Sequence, residues 1–283
     1  MQYPPLSDYL LISDIDGTLV NTQKEIPSRN IEAIVRFRAL GGRFTIATGR
    51  SPVSAARIAR KVGVNCPLVT NNGAILYDME TGQVVRQRFL PPRAAELVAL
   101  VARDFPHIGI QMYRDADIYM IVHNPVVEYQ VAVEKITAVE ASPDRMPDKA
   151  NKILFGGSHE QLQGLRDYLG QAGIDGMYGL FTEDQYYELL PQGVNKGSAA
   201  QVLAGYCGVS GPHVAAVGDY YNDVELLKAV PLPAVAGNAP DEVKALADYV
   251  ACHCDDGAVA DVLRRLEQLA TGQIADFGNR DKR

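Results

Sequence analysis

The sequence predicts an α/β protein with a doubly wound parallel-sheet core and an inserted α+β domain. Three observations predict it. Short apolar runs ending in Gly, Asp or Thr alternate with helical patterns towards both ends of the chain. About a hundred residues in the middle read instead as alternating strands separated by helices. Residues able to do chemistry gather where the apolar runs stop. A length of 283 residues suits one large domain or two ordinary ones, and 47% hydrophobic against 22% charged residues supplies real cores and excludes a disordered tail.

Tyr9 to Ser13 is the first strand, Arg43 to Ala47 the second, Pro67 to Thr70 the third and His213 to Val217 the fourth. Between the first two, Pro27 to Leu40 sets Ile31, Ile34, Val35 and Phe37 at helical spacing, which predicts a crossover helix and hence a parallel sheet covered on both faces. Leu232 to Ala236, a helix over Pro240 to Ala247, a strand near Tyr249 and a helix from Gly257 to Leu269 close the core.

In the middle, Ile108 to Tyr113 and Ile118 to Val122 alternate as strands, and Pro92 to Asp104, Val126 to Ile136 and Glu160 to Ala172 read as helices. The expected division is a core from 1–86 and 190–283 and an inserted domain over 87–189, with hinges near Arg86 to Leu90 and Leu189 to Gly193. The polar tail from Thr271 to Arg283 is expected to fray.

A net charge of −7 argues against nucleic acid as the main partner, because phosphate backbones reward a basic face. The first residues show no basic start followed by an apolar run, and no stretch of about 18 apolar residues predicts a membrane span. Four scattered cysteines make no disulfide framework, and Cys252-His253-Cys254 lacks the second ligand pair of a zinc site. These readings predict a cytoplasmic protein, a monomer or small homo-oligomer, with a small-molecule partner.

The strongest chemical signal is Asp14-Ile15-Asp16-Gly17-Thr18 after the apolar run Tyr9 to Ile12. Residues two apart on a strand face one side, so both carboxylates are expected in one site, where their repulsion calls for a shared proton or a cation. In Thr45 to Pro52 a buried strand ends in Thr48-Gly49-Arg50, then Ser51 caps a helix with Pro52 at its first position. The Thr48 hydroxyl and the amides of Gly49 and Arg50 are candidate phosphate contacts, against the plain alternative of a helix cap. Lys196, in Gly193 to Ser198, starts a helix against the positive end of its dipole, a mild penalty that a shared anion would reverse; a solvated lysine is the plain alternative. A strand delivers Asp219 to its end, and Asp223 is expected one turn further along the same helical face. With Asp14 and Asp16 these make a set of hard oxygen ligands suited to Mg²⁺.

This ordered set resembles the haloacid dehalogenase superfamily of phosphohydrolases. Thr70-Asn71-Asn72-Gly73-Ala74, Leu190 to Gly197, Ala236-Gly237-Asn238-Ala239 and Asp255-Asp256-Gly257-Ala258 resemble its Cof-type branch of sugar and cofactor phosphatases. The resemblance covers essentially the whole chain and implies a Rossmann-like core with an α+β cap that governs substrate choice. It implies that Asp14 attacks phosphorus, that Asp16 serves as general acid and base, and that Thr48 and Lys196 hold the phosphoryl group. It further implies Mg²⁺ on Asp14, the Asp16 backbone carbonyl and Asp219, supported by Asn222 or Asp223, with Asn71 and Asn222 as further substrate contacts.

The expected function is hydrolysis of a small phosphorylated metabolite, a sugar phosphate or a related phosphomonoester. A phosphomutase or phosphotransferase is the enzymatic alternative, and a catalytically silent binding module the other. Arg114 and Lys152 are cap cations that could meet a second anionic group; neither is assigned that role.

Overall fold

The protein is described from a computed structural model, over residues 6–209 and 211–279. The first five residues and the last four of the expected frayed tail lie outside the described residues. In chain order the elements begin β1 (Leu10–Ser13), α1 (Ser28–Ala39), β2 (Arg43–Ile46), α2 (Pro52–Val62), β3 (Leu68–Thr70), β4 (Ile75–Asp78) and β5 (Gln83–Gln87). Then follow α3 (Arg93–Asp104), β6 (Gly109–Arg114), β7 (Asp117–Val122), α4 (Pro125–Glu134), β8 (Val139–Glu140), β9 (Lys152–Gly156), α5 (His159–Ala172), β10 (Met177–Glu183) and β11 (Tyr186–Pro191). The chain ends with α6 (Lys196–Tyr206), β12 (Val214–Gly218), α7 (Val224–Ala229), β13 (Leu232–Val235), α8 (Asp241–Lys244), β14 (Tyr249–Val250) and α9 (Ala258–Ala270).

A parallel sheet in the order β14-β13-β12-β1-β2 forms the core, and a single parallel bridge from Ala47 to Val69 attaches β3. On β1 the side chains alternate. Leu11 enters one hydrophobic cluster with Phe37 of α1 and Leu266 of α9, while Leu10 and Ile12 enter another with Leu203 of α6 and Leu226 of α7. Helices therefore cover both faces, as a parallel sheet requires. On α1 the buried face is Asn30, Ile34 and Phe37; Val35 is 55% exposed, contrary to expectation, because it lies about 100° around the helix from Ile34.

β3, β4 and β5 form an antiparallel sheet that the sequence reading did not separate from the core. The middle of the chain builds a six-stranded sheet in the order β10-β11-β9-β6-β7-β8. α3 and α5 pack one face, with Leu97, Val101, Leu165 and Leu169 against Ile110, Ile153 and Phe155. On the other face Val127 of α4 packs beside Leu154 and Tyr186. That face looks onto the carboxyl ends of the parallel strands.

Two corrections concern the end of the chain. The helix expected over Pro240 to Ala247 is confined to Asp241–Lys244. The tail is docked through residue 279 rather than frayed: Phe277 is buried against Tyr249, and the Arg265 guanidinium donates to the carbonyls of Asp276, Phe277 and Gly278. An aromatic anchor outweighs the polar composition around it.

Asn30 ties three parts of the core together. Its buried amide donates to the Leu19 carbonyl (3.0 Å) and accepts from the Ala260 N–H (2.9 Å), capping α9, whose own cap position is Gly257. Asn30→Ala leaves both partners buried and unpaired, so urea unfolding should show a loss of about 2 kcal/mol. A change below about half a kcal/mol would mean that Asn30 does not hold these elements together.

Candidate active site

Three strand exits and one helix start converge on one place. β1 delivers Asp14 and Asp16, β2 delivers Thr48 to Arg50, β12 delivers Asp219, and the amino end of α6 delivers Lys196. Asp14, Asp16, Thr48, Gly49, Arg50, Asp219 and Asn222 line a cavity of about 740 Å³, whose opposite wall comes from α4 and from β9 to β11.

Lys196 is fully buried and follows Asn195, which caps α6 by accepting from the Ser198 N–H (2.7 Å). Its ammonium donates to Asp14 Oδ1 (2.6 Å) and Asp223 Oδ1 (2.7 Å). Burial opposes the lysine's charge, but these two carboxylates outweigh it and raise its pKa. A solvated surface lysine is excluded. The anion that relieves the helix dipole is this carboxylate pair.

Asp223 does not share a helical face with Asp219, as its spacing suggested. Tyr221–Asp223 form a 3-10 turn, and Asp223 Oδ2 folds back to accept the N–H groups of Asp219 (3.0 Å) and Tyr220 (3.3 Å). Asp219 in turn accepts from Thr18 Oγ1 (2.7 Å) and Asn238 Nδ2 (3.3 Å). Gly17 makes this possible. Its φ is +79°, and a side-chain carbon there would overlap the Asp219 carboxylate.

Asp14, Asp219 and Asp223 each offer a carboxylate oxygen within 4.8 Å of the others, all buried. Three acids around one ammonium leave excess negative charge. Burial, then Asp223, pushes Asp219 up to about 7 against the pull of Thr18 and Lys196. Asp14 is raised as well, first by burial and then by its acidic neighbours, although Lys196 opposes this. Buried hard oxygens with surplus negative charge fit a small divalent cation such as Mg²⁺. A second group, His253, Cys254 and Asp255, is engaged otherwise: Asp255 accepts from Thr22, and His253 accepts from the Asp255 N–H.

The Asp16 side chain stands apart from the three-acid group. Arg50 grips it with two 2.7 Å hydrogen bonds, and Lys24 adds one at 3.1 Å. Burial would raise its pKa, but Arg50 and Lys24 prevail and hold it at about 2. Arg50 thus enters the site through its guanidinium, while its N–H is turned to Thr48 Oγ1 (3.2 Å) rather than into the cavity. Ser51 caps α2 as expected, accepting from the Ser54 N–H, with Pro52 first in the helix.

Asn71 is not at the cavity wall. Its backbone and that of Asn72 adopt left-handed angles (φ 49° and 53°), and the Asn71 amide is buried with no hydrogen-bond partner. Asn72 reaches Glu188 instead (2.7 Å). Arg114 pairs with Asp148 away from the cavity, whereas Lys152 lines it. The sequence reading gave no role to Lys24, Thr18 or Asn238. The last two stand inside the quoted motifs, but nothing in the local pattern singles out Lys24.

Comparison with known proteins agrees with this architecture. Residues 11–263 match the family described as haloacid dehalogenase-like hydrolase. A protein of Klebsiella pneumoniae (strain 342) named HMP-PP phosphatase is 30% identical over 233 residues, covering 82% of this chain and 85% of its own. A solved haloacid dehalogenase-like hydrolase from Bacteroides thetaiotaomicron is 28% identical with a TM-score of 0.82, covering 91% of this chain and 99% of that one. A solved Thermotoga maritima protein, at 24% identity, shares the fold (TM-score 0.79; 91% and 97% covered). No helix among the described residues is long and apolar enough to cross a membrane. The chain belongs to the haloacid dehalogenase-like hydrolases, in their Cof-type branch, and is an enzyme of the phosphatase kind.

Proposed function

We propose that this phosphatase is Mg²⁺-dependent and hydrolyses a small phosphorylated metabolite through a phospho-aspartate on Asp14. The observation that carries the reading is the buried Lys196 ammonium, which bonds Asp14 and Asp223 from behind, while Asp14 lines one cavity with Asp16, Thr48 and Asp219.

Asp14, Asp219 and the Asp16 main-chain carbonyl would hold the Mg²⁺, with Asn222 or Asp223 in support. When bound, the ion neutralises charge on the transferring phosphoryl group and on the acid cluster. An Asp14 oxygen forms a bond to phosphorus as the bond to the leaving oxygen breaks, and Lys196 and Thr48 steady the phosphoryl oxygens. Asp16 supplies a proton to the leaving oxygen, then takes one from the water that cleaves the phospho-aspartate. Arg50 holds Asp16 ionised in the structure, so Asp16 must leave that fork and take up a proton from solvent before it can act as an acid. A phosphate oxygen competing for the same guanidinium supplies the exchange.

Residues 87–189 are read as a cap seated over the site. The chain passes between the two sheets through 88–92 and 192–195, the segments between β5 and α3 and between β11 and α6, so the cap's strand β11 runs two residues past 189. Four unpaired cysteines accord with a reducing, cytoplasmic setting. The substrate class is set by the cap wall of the cavity. HMP-PP, from which the relatives take their name, and sugar phosphates are the compounds to try first.

Asp14→Asn should lower turnover on the order of 10⁴-fold or more, measured as phosphate release; a wild-type rate would remove Asp14 as nucleophile. Magnesium at about a hundred times its dissociation constant should stabilise the protein by about 2.7 kcal/mol, seen as a rise in melting temperature that a chelator reverses. Identical melting and activity with and without chelator would dismiss the metal. Across a panel containing HMP-PP and sugar phosphates, release of inorganic phosphate is the expected result, and an isomerised phosphorylated product would show a mutase instead.

A further inference from the structure

Lys152 and Glu188 form a second buried ion pair, on the neighbouring strands β9 and β11, and both line the cavity. Lys152 Nζ donates to Glu188 Oε1 (2.8 Å) and, across the seam to the core, to the Gly49 carbonyl (2.9 Å). It also lies 4.2 Å from the centroid of the Tyr113 ring. The other Glu188 oxygen accepts from Asn72 Nδ2 (2.7 Å), so the pair touches the core at two exits, those of β2 and β3. Burying two charges carries a large desolvation cost, and apolar residues of similar size are often no less stable. Bulk stability is therefore a poor account of the pair.

The loop it touches suggests another. A loop that grips a phosphoryl group must turn its carbonyl oxygens aside, because each would meet the phosphate oxygens as a like partial charge. The Thr48 carbonyl accepts from the Asn72 N–H (2.9 Å) and the Arg50 carbonyl from the Asn71 N–H (2.9 Å), both inside the core. The Gly49 carbonyl between them is held by Lys152, from the other sheet. The peptide joining Gly49 to Arg50 is trans, so its C=O and N–H point in opposite directions. With the C=O on Lys152, the N–H reaches Thr48 Oγ1 (3.2 Å). A hydroxyl that accepts there keeps its own proton available to donate.

We propose that Lys152 is a positioning residue for phosphoryl transfer. Anchored by Glu188, it locks the Gly49 carbonyl and so aims the Thr48 hydroxyl, and the phosphate grip is complete only with the cap seated on the core. The inference rests on reading residues 48–50 as the phosphoryl-holding loop.

The test uses orthovanadate, which mimics the transferring phosphoryl group, with magnesium present throughout. Lys152→Met keeps an aliphatic stem but removes the donor. Orthovanadate inhibition should weaken about tenfold and kcat should fall by a similar factor. KM for p-nitrophenyl phosphate should move less than about twofold, and Lys152→Arg should recover part of the loss. A folded Lys152→Met with wild-type kcat and orthovanadate affinity overturns the proposal, and so does a lowered melting temperature with both constants unchanged. If Lys152→Met does not fold, Glu188→Gln carries the test, because it keeps an acceptor for Asn72 while loosening Lys152. Orthovanadate binding weaker by about threefold supports the proposal, and unchanged binding overturns it. A wild-type protein that neither releases phosphate nor binds orthovanadate sinks the phosphatase reading and this inference together; a responsive wild type with an unresponsive Lys152→Met sinks this inference alone.

Discussion

A lysine ammonium shut away from water between the carboxylates of Asp14 and Asp223 is the interaction on which the rest of the site depends. Without it, three buried acids would face one another with only dipoles for company, and the strand exits that carry them would be pushed apart. With it, β1 and β12 can lie side by side and end in acids, because α6 enters from beyond them and presents its first residue to both. The sheet order therefore serves the charge arrangement. Neighbouring parallel strands bring their carboxyl ends to one edge, and the helix start supplies the counter-charge.

The same economy of charge recurs one step outward. Asp16 is held by Arg50 and Lys24, and Lys152 by Glu188, so the acids and bases around the cavity stand mostly in pairs. Glu134 on α4 is an exception of degree. Burial raises its pKa, Arg50 and Lys152 draw it back, and one of its oxygens is buried without a hydrogen-bond partner. Paired groups of this kind are pre-oriented, and an arriving anion can exchange partners with them without first ordering loose side chains.

How much of this was legible in the sequence follows from the range of each interaction. The acids of β1, the Thr48 loop and the Ser51 cap are local patterns, in which a strand period, a breaker and a cap fall within a few residues. They could be read, as could α1, α3, α5 and α9, each with a clear apolar stripe. Asp223 was found but given the wrong geometry, because a 3-10 turn and a helix look alike at a spacing of four. The Arg50 guanidinium, the burial of Asn71 and the docking of Phe277 depend on partners far along the chain. The β4–β5 hairpin was missed because its strands are half exposed, which leaves little apolar signal.

The separation of 182 residues between Asp14 and Lys196 has a consequence for biosynthesis. β1 emerges from the ribosome early, yet one of its two sheet neighbours is β12, which is made only after the whole intervening domain. Until then one edge of a very apolar strand stands open, which favours slow closure and exposes the nascent chain to mispairing. The intervening stretch has a six-stranded sheet and a hydrophobic cluster of its own to assemble in the meantime. The nascent protein would then hold the far wall of the cavity before the strand that completes the near one exists.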